Sequence, residues 1–196
     1  MRELFNIKSK MSNNHKFSYS EEERRKRQQP EEILKSIGLK KGMCFIDSGC
    51  NDGFFTLPAA RIIGSNGRVI AIDVDEDALT RLRAKLINEN ISNVEIIKSP
   101  SEEVIVEDNI ADIIFFGTVL HDFYDPVRVL RNSKMMLKDS GFIYNLDWRK
   151  AHSPIGPPYN IRFSQEDVTV LAKKSGLNVV SKAILDDNCY GIILKK

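Results

Sequence analysis

One stretch of the sequence gathers residue types suited to holding a nucleoside. Asp47-Ser-Gly49-Cys50-Asn51-Asp52-Gly53 follows a short apolar run and precedes a helical pattern. Glycines at 49 and 53 let the backbone turn sharply and approach a ligand closely. The helix that follows aims its first N–H groups at that ligand. The spacing is G-x-x-x-G, not the G-x-G-x-x-G of a dinucleotide site. Asp73 closes the next apolar run, 20 residues beyond Gly53. A carboxylate at that place accepts hydrogen bonds from a ribose diol. A glycine pair alone also serves ordinary turns. The strand before it, the helix after it and Asp73 together point to a bound nucleoside.

Other residues with chemistry are more scattered. His121 lies just past a strongly apolar run and is the best-placed titratable group. Its imidazole could take a proton, or could hydrogen-bond a ligand or a helix end. His15 and His152 lie farther from the loops of interest. The stretch from Asp147 to Arg162 carries the only tryptophan, Trp148, with Tyr159 and Arg162. Aromatic and guanidinium groups there could frame a substrate, or the stretch could be a proline-stiffened connector. Pro157-Pro158-Tyr159 superficially resembles an Asn-Pro-Pro-Tyr motif, but it stands after the wrong strand. Cys44, Cys50 and Cys189 form no C-x-x-C pair, so neither a zinc site nor a disulfide framework is expected. Cys50 has no base beside it in sequence, and Cys44 reads as core.

The positioning elements follow from periodicity. A helical pattern from Tyr19 to Ile37 breaks at Pro30, and Gly38 suits its end. Strands are expected at Met43–Asp47, Arg68–Asp73, Val94–Ile97, Ala111–Phe116 and Phe142–Leu146. Helices are expected at Phe54–Ile63, after the N-cap Asp75, from Asp125-Pro126 to Met136, and after the capping box Ser164-x-x-Asp167. Asn178–Leu185 and Tyr190–Leu194 read as a terminal hairpin, antiparallel by its short turn. Alternating strands and helices predict an α/β doubly wound sheet with helices on both faces. Its ligand site lies beyond the carboxyl ends of the strands.

Composition agrees. The 196 residues are 42% hydrophobic and 29% charged, with a net charge of +2. These figures exclude disordered, collagen-like and coiled-coil classes. No apolar run reaches the roughly 18 residues of a membrane span, and no leader pattern opens the chain, so a cytoplasmic protein is expected. Residues 1–41 carry 11 basic against 6 acidic side chains, and the rest 18 against 21. The basic segment Arg24–Arg27 could meet an anionic partner such as RNA, or simply pair with Glu21–Glu23 along a helix. No nucleic-acid partner is expected on this charge.

Asp47-x-Gly49-x-Asn51-x-Gly53 followed by Ala71-Ile-Asp73-Val74 resembles motifs I and II of class I S-adenosylmethionine-dependent methyltransferases. Lys41-Gly42, the segment Phe115–Pro126 and the turn Leu137–Phe142 are similar to the small-molecule, UbiE-like (type 11) branch. The resemblance runs from about Arg24 to Lys196. It implies a Rossmann-like, seven-stranded mixed sheet of order 3-2-1-4-5-7-6, with strand 7 antiparallel. It implies S-adenosylmethionine as cofactor, no metal, and a small-molecule methyl acceptor; an RNA or protein acceptor on the same fold, a non-catalytic S-adenosylmethionine-binding protein and a homodimer are left open. Asp47, Gly49, Cys50, Asn51 and Gly53 would hold the methionine end, Asp73 the ribose, Val74 and Ser101 the adenine. Gly117 would meet the cofactor amino group through its backbone. Asn51 replaces the family's middle glycine, and Pro100 an acidic residue near the adenine. His121 is the candidate general base. Trp148, Tyr159 and Arg162, with Tyr19, would line the substrate mouth. Residues 1–28 form an N-terminal arm, expected to close as a lid through Phe5, Phe17 and Tyr19 or else to be a tail. Residues 29–196 form the methyltransferase domain.

Overall fold

The computed structural model describes residues 21–196. His15, Phe5, Phe17 and Tyr19, and with them most of the expected arm, lie outside the described residues. The chain runs α1 (Glu21–Gln28), α2 (Pro30–Ser36), β1 (Cys44–Ser48), α3 (Thr56–Ile63), β2 (Arg68–Asp73), α4 (Glu76–Asn88), β3 (Val94–Lys98), β4 (Ala111–Gly117), α5 (Pro126–Met136), β5 (Leu137–Trp148), α6 (Gln165–Lys174), β6 (Asn178–Ile184) and β7 (Cys189–Lys195). Single 3-10 turns occupy Leu120–Asp122 and Tyr159–Ile161.

All strands join one sheet of order β3-β2-β1-β4-β5-β7-β6. β7 is antiparallel to β5 and to β6, and the other pairs are parallel. The expected topology therefore holds. β1 and β4 are buried on both faces, as central parallel strands must be. One face packs Ile46, Ile114, Phe116 and Ile192 against α5 and α6, through Val129, Leu130, Val168 and Ala172. The other packs Phe45, Phe115, Tyr144 and Trp148 against α2 and α3, through Leu34 and Ala59.

Local signals set the helix ends. Asp75 caps α4 by accepting from the N–H groups of Asp77 and Ala78. Ser164 and Asp167 form a reciprocal capping box on α6. At the break before Pro30, whose ring disfavours the right-handed α conformation for the preceding residue, Gln29 lies in the left-handed region at φ 38°. β5 is longer than expected. It begins at Leu137, directly after α5, rather than at Phe142. Gly141 permits this, since a Cβ there would lie 2.7 Å from the Ala111 carbonyl oxygen. Among the described residues, no helix is long and apolar enough to cross a membrane.

Candidate functional site

The register of the central strands brings four chain segments to one edge. Asp47 pairs in register with Ala71 on β2 and with Phe115 on β4. Gly117 at the end of β4 pairs with Leu146 on β5. The loops after β1, β2, β4 and β5 therefore open side by side, where doubly wound sheets bind ligands.

The β1 loop folds back on β2. Gly49 and Cys50 donate their N–H groups to the Ile72 carbonyl at 2.8 and 3.0 Å, and Gly53 donates to Cys50 at 3.0 Å. Gly49 has φ +80°. A Cβ there would come within 2.5 Å of the Val119 side chain. The glycine is thus what lets the post-β4 segment lie against the β1 loop. Asn51 adopts φ 48°, a conformation asparagine tolerates better than most residues. Its Oδ1 accepts from the Asp52 N–H at 2.8 Å, so the side chain steadies its own turn.

Asp47 is fully buried, and its Oδ2 accepts from the Thr56 hydroxyl at 2.6 Å. Burial pushes its carboxyl up to about 7, against the pull of the Thr56 hydrogen bond and of Arg24. Asp73 accepts from Asn51 N–H at 2.7 Å on one oxygen. Its other oxygen accepts from the N–H groups of Val74 and Asp75 at 2.7 and 3.0 Å. Burial raises this carboxyl too, in spite of the three backbone donors. Val74 is 45% exposed beside it. Ser101 is buried, and its hydroxyl pairs with that of Ser48 at the tip of β1, at 2.8 Å. The Cys50 thiol is buried and driven well above its ordinary range by burial, which leaves it a poor nucleophile.

Asp47 makes a test of stability against pH. Its folded pKa lies above the ordinary value of 3.8. Its contribution is therefore intact at pH 4 and is lost as pH rises through about 7. Asp47→Asn keeps an acceptor for Thr56 without the charge. It is expected to stabilise the ligand-free protein above pH 7 by roughly 1–2 kcal/mol and to flatten the pH dependence, part of the gain being offset by the buried amide N–H₂. Thermal unfolding at pH 5 and pH 8 measures it. A variant no more stable than wild type at pH 8 would mean that the carboxylate is well solvated.

Past β4 the backbone is unusual. Thr118 is left-handed at φ 62°, a costly conformation for a β-branched residue. Its N–H is fixed to the Leu146 carbonyl at 2.7 Å. The 3-10 turn that follows carries His121 inward. His121 Nδ1 lies 2.7 Å from Asp147 Oδ1, and Nε2 lies 3.6 Å from Asp122 Oδ2. Burial alone would lower the imidazole pKa, but the charge and hydrogen bond of Asp147, with Asp122, hold it above its ordinary value. Asp147 Oδ1 also accepts from Trp148 N–H at 2.8 Å, while Oδ2 is buried without a hydrogen-bond partner. Asp147 was not singled out by its type or spacing in the sequence. This buried carboxylate–imidazole pair can bind and release a proton.

The β5–α6 loop differs from its expected role. Trp148 is only 1% exposed and Arg162 only 3%. Arg162 donates from Nε to the carbonyl of Pro157, and from its two terminal nitrogens to those of Arg149, Ala151 and Ile155, at 2.8–3.1 Å. Its guanidinium also lies 5.7 Å from the Trp148 ring centre. Both residues are therefore placed as the loop's internal brace, with their polar and aromatic surface spent within the protein. Tyr159 is exposed and stacks on His152 with ring centres 4.9 Å apart. Among the described residues, no group of three or more His, Cys, Asp or Glu could hold a metal ion.

These acceptors fit S-adenosylmethionine. The cofactor carries two positive groups and a ribose diol, and the carboxyls of Asp47, Asp52 and Asp73 gather around the β1 loop. Asp73→Ala would remove the carboxylate expected to meet the diol and, with it, the acceptor of three backbone N–H groups. It is expected to weaken S-adenosylhomocysteine binding at least tenfold in calorimetry. Unchanged affinity in the folded variant would place the ribose elsewhere.

Residues 39–192 match the family model described as a methyltransferase domain. A demethylmenaquinone methyltransferase of Staphylococcus aureus (strain MRSA252) is 28% identical over 123 residues, 63% of this chain and 50% of that protein. One from Staphylococcus carnosus (strain TM300) is 26% identical over the same share. The match thus spans half the length of these curated relatives. Among solved structures, a SAM dependent methyltransferase from Aquifex aeolicus has a TM-score of 0.84 at 28% identity, covering 95% of this chain and 97% of that one. A putative type 11 methyltransferase from Sulfolobus solfataricus has a TM-score of 0.69 at 30% identity, covering 85% and 91%.

Proposed function

Since the chain belongs to the methyltransferase-domain family, we propose that it is an S-adenosylmethionine-dependent methyltransferase and that it methylates a small molecule at an atom that must lose a proton, such as a phenolic or enolic hydroxyl or an acidic carbon. The His121–Asp147 pair carries this reading. An amine or thiolate acceptor that already presents a lone pair needs no buried base, whereas a weakly acidic X–H does. The low-identity relatives named for demethylmenaquinone support a small aromatic acceptor.

When bound, S-adenosylmethionine supplies a methyl group on a positively charged sulfur. Asp73 holds the ribose, the backbone at Gly49–Gly53 holds the methionine end, and the exposed side chain of Val74 lies beside the base. The chain's remaining work is alignment and proton removal. His121 takes the acceptor proton on Nε2, and Asp147 fixes the tautomer by accepting from Nδ1–H and steadies the imidazolium that results. The cofactor would supply the methyl group to the deprotonated acceptor, and the proton held on His121 then leaves for water.

Transfer of labelled methyl from S-adenosylmethionine, screened over quinols, catechols, simple phenols, amines, thiols, RNA and peptides, tests the proposal. Turnover is expected with hydroxyl or carbon acids of small aromatic molecules. Turnover confined to RNA, to peptides or to amines would overturn it.

A further inference from the structure

Resting on the His121–Asp147 pair as the proton-handling group, we infer that Asn145 on β5 is its positioning residue, supplying a donor to Asp147 Oδ2 through one internal water. Asn145 and Asp147 stand two apart on the strand, so their side chains leave the same face of the sheet. Both are buried, Asn145 to 0% exposure and Asp147 to 1%. Neither polar atom of the Asn145 amide has a hydrogen-bond partner, and neither does Asp147 Oδ2. The neighbours of Asn145 in register are Phe116 on β4 and Ile192 on β7, both fully buried. An amide set between two such side chains costs stability unless something satisfies it. Asparagine is also a poor strand former. The two orphaned groups on one face explain each other, since the amide has donors to give and the carboxylate oxygen lacks one.

β7 closes the site. Tyr190 pairs in register with Asp147 and is 1% exposed. Its hydroxyl donates to the Phe163 carbonyl at 3.0 Å, which leaves its oxygen able to accept. Burial and the Asp147 charge push this phenol up, while the nearby Asn145 amide pulls it down. The Tyr190 oxygen, the Asn145 amide and Asp147 Oδ2 thus lie together on one face, and a buried water is held by two to four such groups. A water there accepts from the Asn145 amide N–H and donates to Oδ2. Oδ1 already takes His121 and the Trp148 N–H, so both carboxylate oxygens are then fixed, and the carboxylate plane with them. A donor to Oδ2 also draws charge off Asp147 and moderates its pull on the imidazole. The other groups around the pair are Asp122 and Arg162 beside His121, with Arg162, Cys189 and Tyr190 beside Asp147.

NMR titration of His121 in the full, ligand-free chain tests this. Asn145→Val removes the donor, and Asn145→Thr, of nearly the same shape as the valine, restores one as a hydroxyl. Both β-branched residues suit a central strand, and both variants leave Asp122, Arg162, Cys189 and Tyr190 in place. Asn145→Val is expected to raise the imidazole midpoint by about 0.5–1 pH unit, because an Asp147 with an unserved oxygen pulls harder on the imidazolium. Asn145→Thr should stay within about 0.3 pH unit of wild type. A crystal structure of the wild-type chain should show one ordered water within about 3.2 Å of both Asp147 Oδ2 and the Asn145 amide. An unmoved or lowered midpoint in Asn145→Val, equal shifts in the two variants, or a site without that water would overturn the assignment and make Asn145 a packing residue. A wild-type His121 that fails to titrate above the ordinary histidine value would instead remove the base reading beneath it.

Discussion

His121→Asn is expected to lower turnover by about 10²–10⁴-fold, the range for loss of a positioned general base, while S-adenosylhomocysteine affinity stays within about twofold. Asparagine is the informative replacement. Asp147 Oδ1 has two donors, His121 and Trp148 N–H, and Oδ2 has none. Truncation to alanine would strip a buried carboxylate of half its support and confound chemistry with folding. The asparagine amide can still donate to Asp147 but cannot accept a proton. The pH profile gives a second readout. The imidazole pKa is held above its ordinary value, so the neutral, proton-accepting form develops only above that point. The rising limb of kcat/KM should lie above the ordinary histidine pKa of about 6.5. Asp147→Asn should move that limb downward, because burial then acts on the imidazole with less opposing charge. Titration of His121 by NMR gives the same comparison without any acceptor. Turnover of His121→Asn within fivefold of wild type would remove the base from the mechanism.

The second large effect is on stability. Arg162→Ala is expected to cost about 3–5 kcal/mol, the range for removing one partner from a buried charged network. Four carbonyls lose the guanidinium together, and of them that of Arg149 keeps another donor, the Ala151 N–H at 2.8 Å, while those of Ala151, Ile155 and Pro157 lose the donor they had. They lie in a loop that leaves them no strand to pair with. At roughly 2–4 °C per kcal/mol for a domain of this size, the melting temperature should fall by about 6–20 °C. Arg162→Lys should recover only part, since an ammonium has three donors and no planar fork. Chemical denaturation of the three proteins measures it. A loss under 1 kcal/mol for the alanine variant would mean that water satisfies the carbonyls.

The sequence was most legible where local chemistry decides structure. Asp75, Asp125 and the Ser164/Asp167 box start helices where expected because a cap depends on residues within one turn. The hairpin was legible from its short turn, and the doubly wound sheet from its alternation. The turn of the β1 loop back onto β2 was legible because a strand, two glycines and the next strand lie close in the chain. Asp147 was not. It stands 26 residues from His121, and only the pairing of β4 with β5 brings them together. Reading β5 as ending at Leu146, rather than at Trp148, also placed Asp147 in a loop instead of at the tip of a strand. Arg162 misled for a related reason. An arginine in a proline-rich loop beside a tryptophan suits a substrate mouth equally well, and no side-chain pattern reveals that backbone carbonyls converge on it. The start of β5 was missed because Lys138-Asp-Ser-Gly141 has turn composition, and these residues indeed form an irregularity between the pair Leu137–Ala111 and the pair Phe142–Ile113.

The order of strands in space has a consequence for how the chain is made. β7 is synthesised after β6, yet it lies between β5 and β6 and is the partner of both. During translation β6 has no strand to join until β7 emerges behind it. β5 meanwhile presents an unpaired, apolar edge running to Trp148. Such an edge is sticky toward other nascent chains. Completion of the sheet therefore waits on Cys189–Lys195, which must enter between two strands already made.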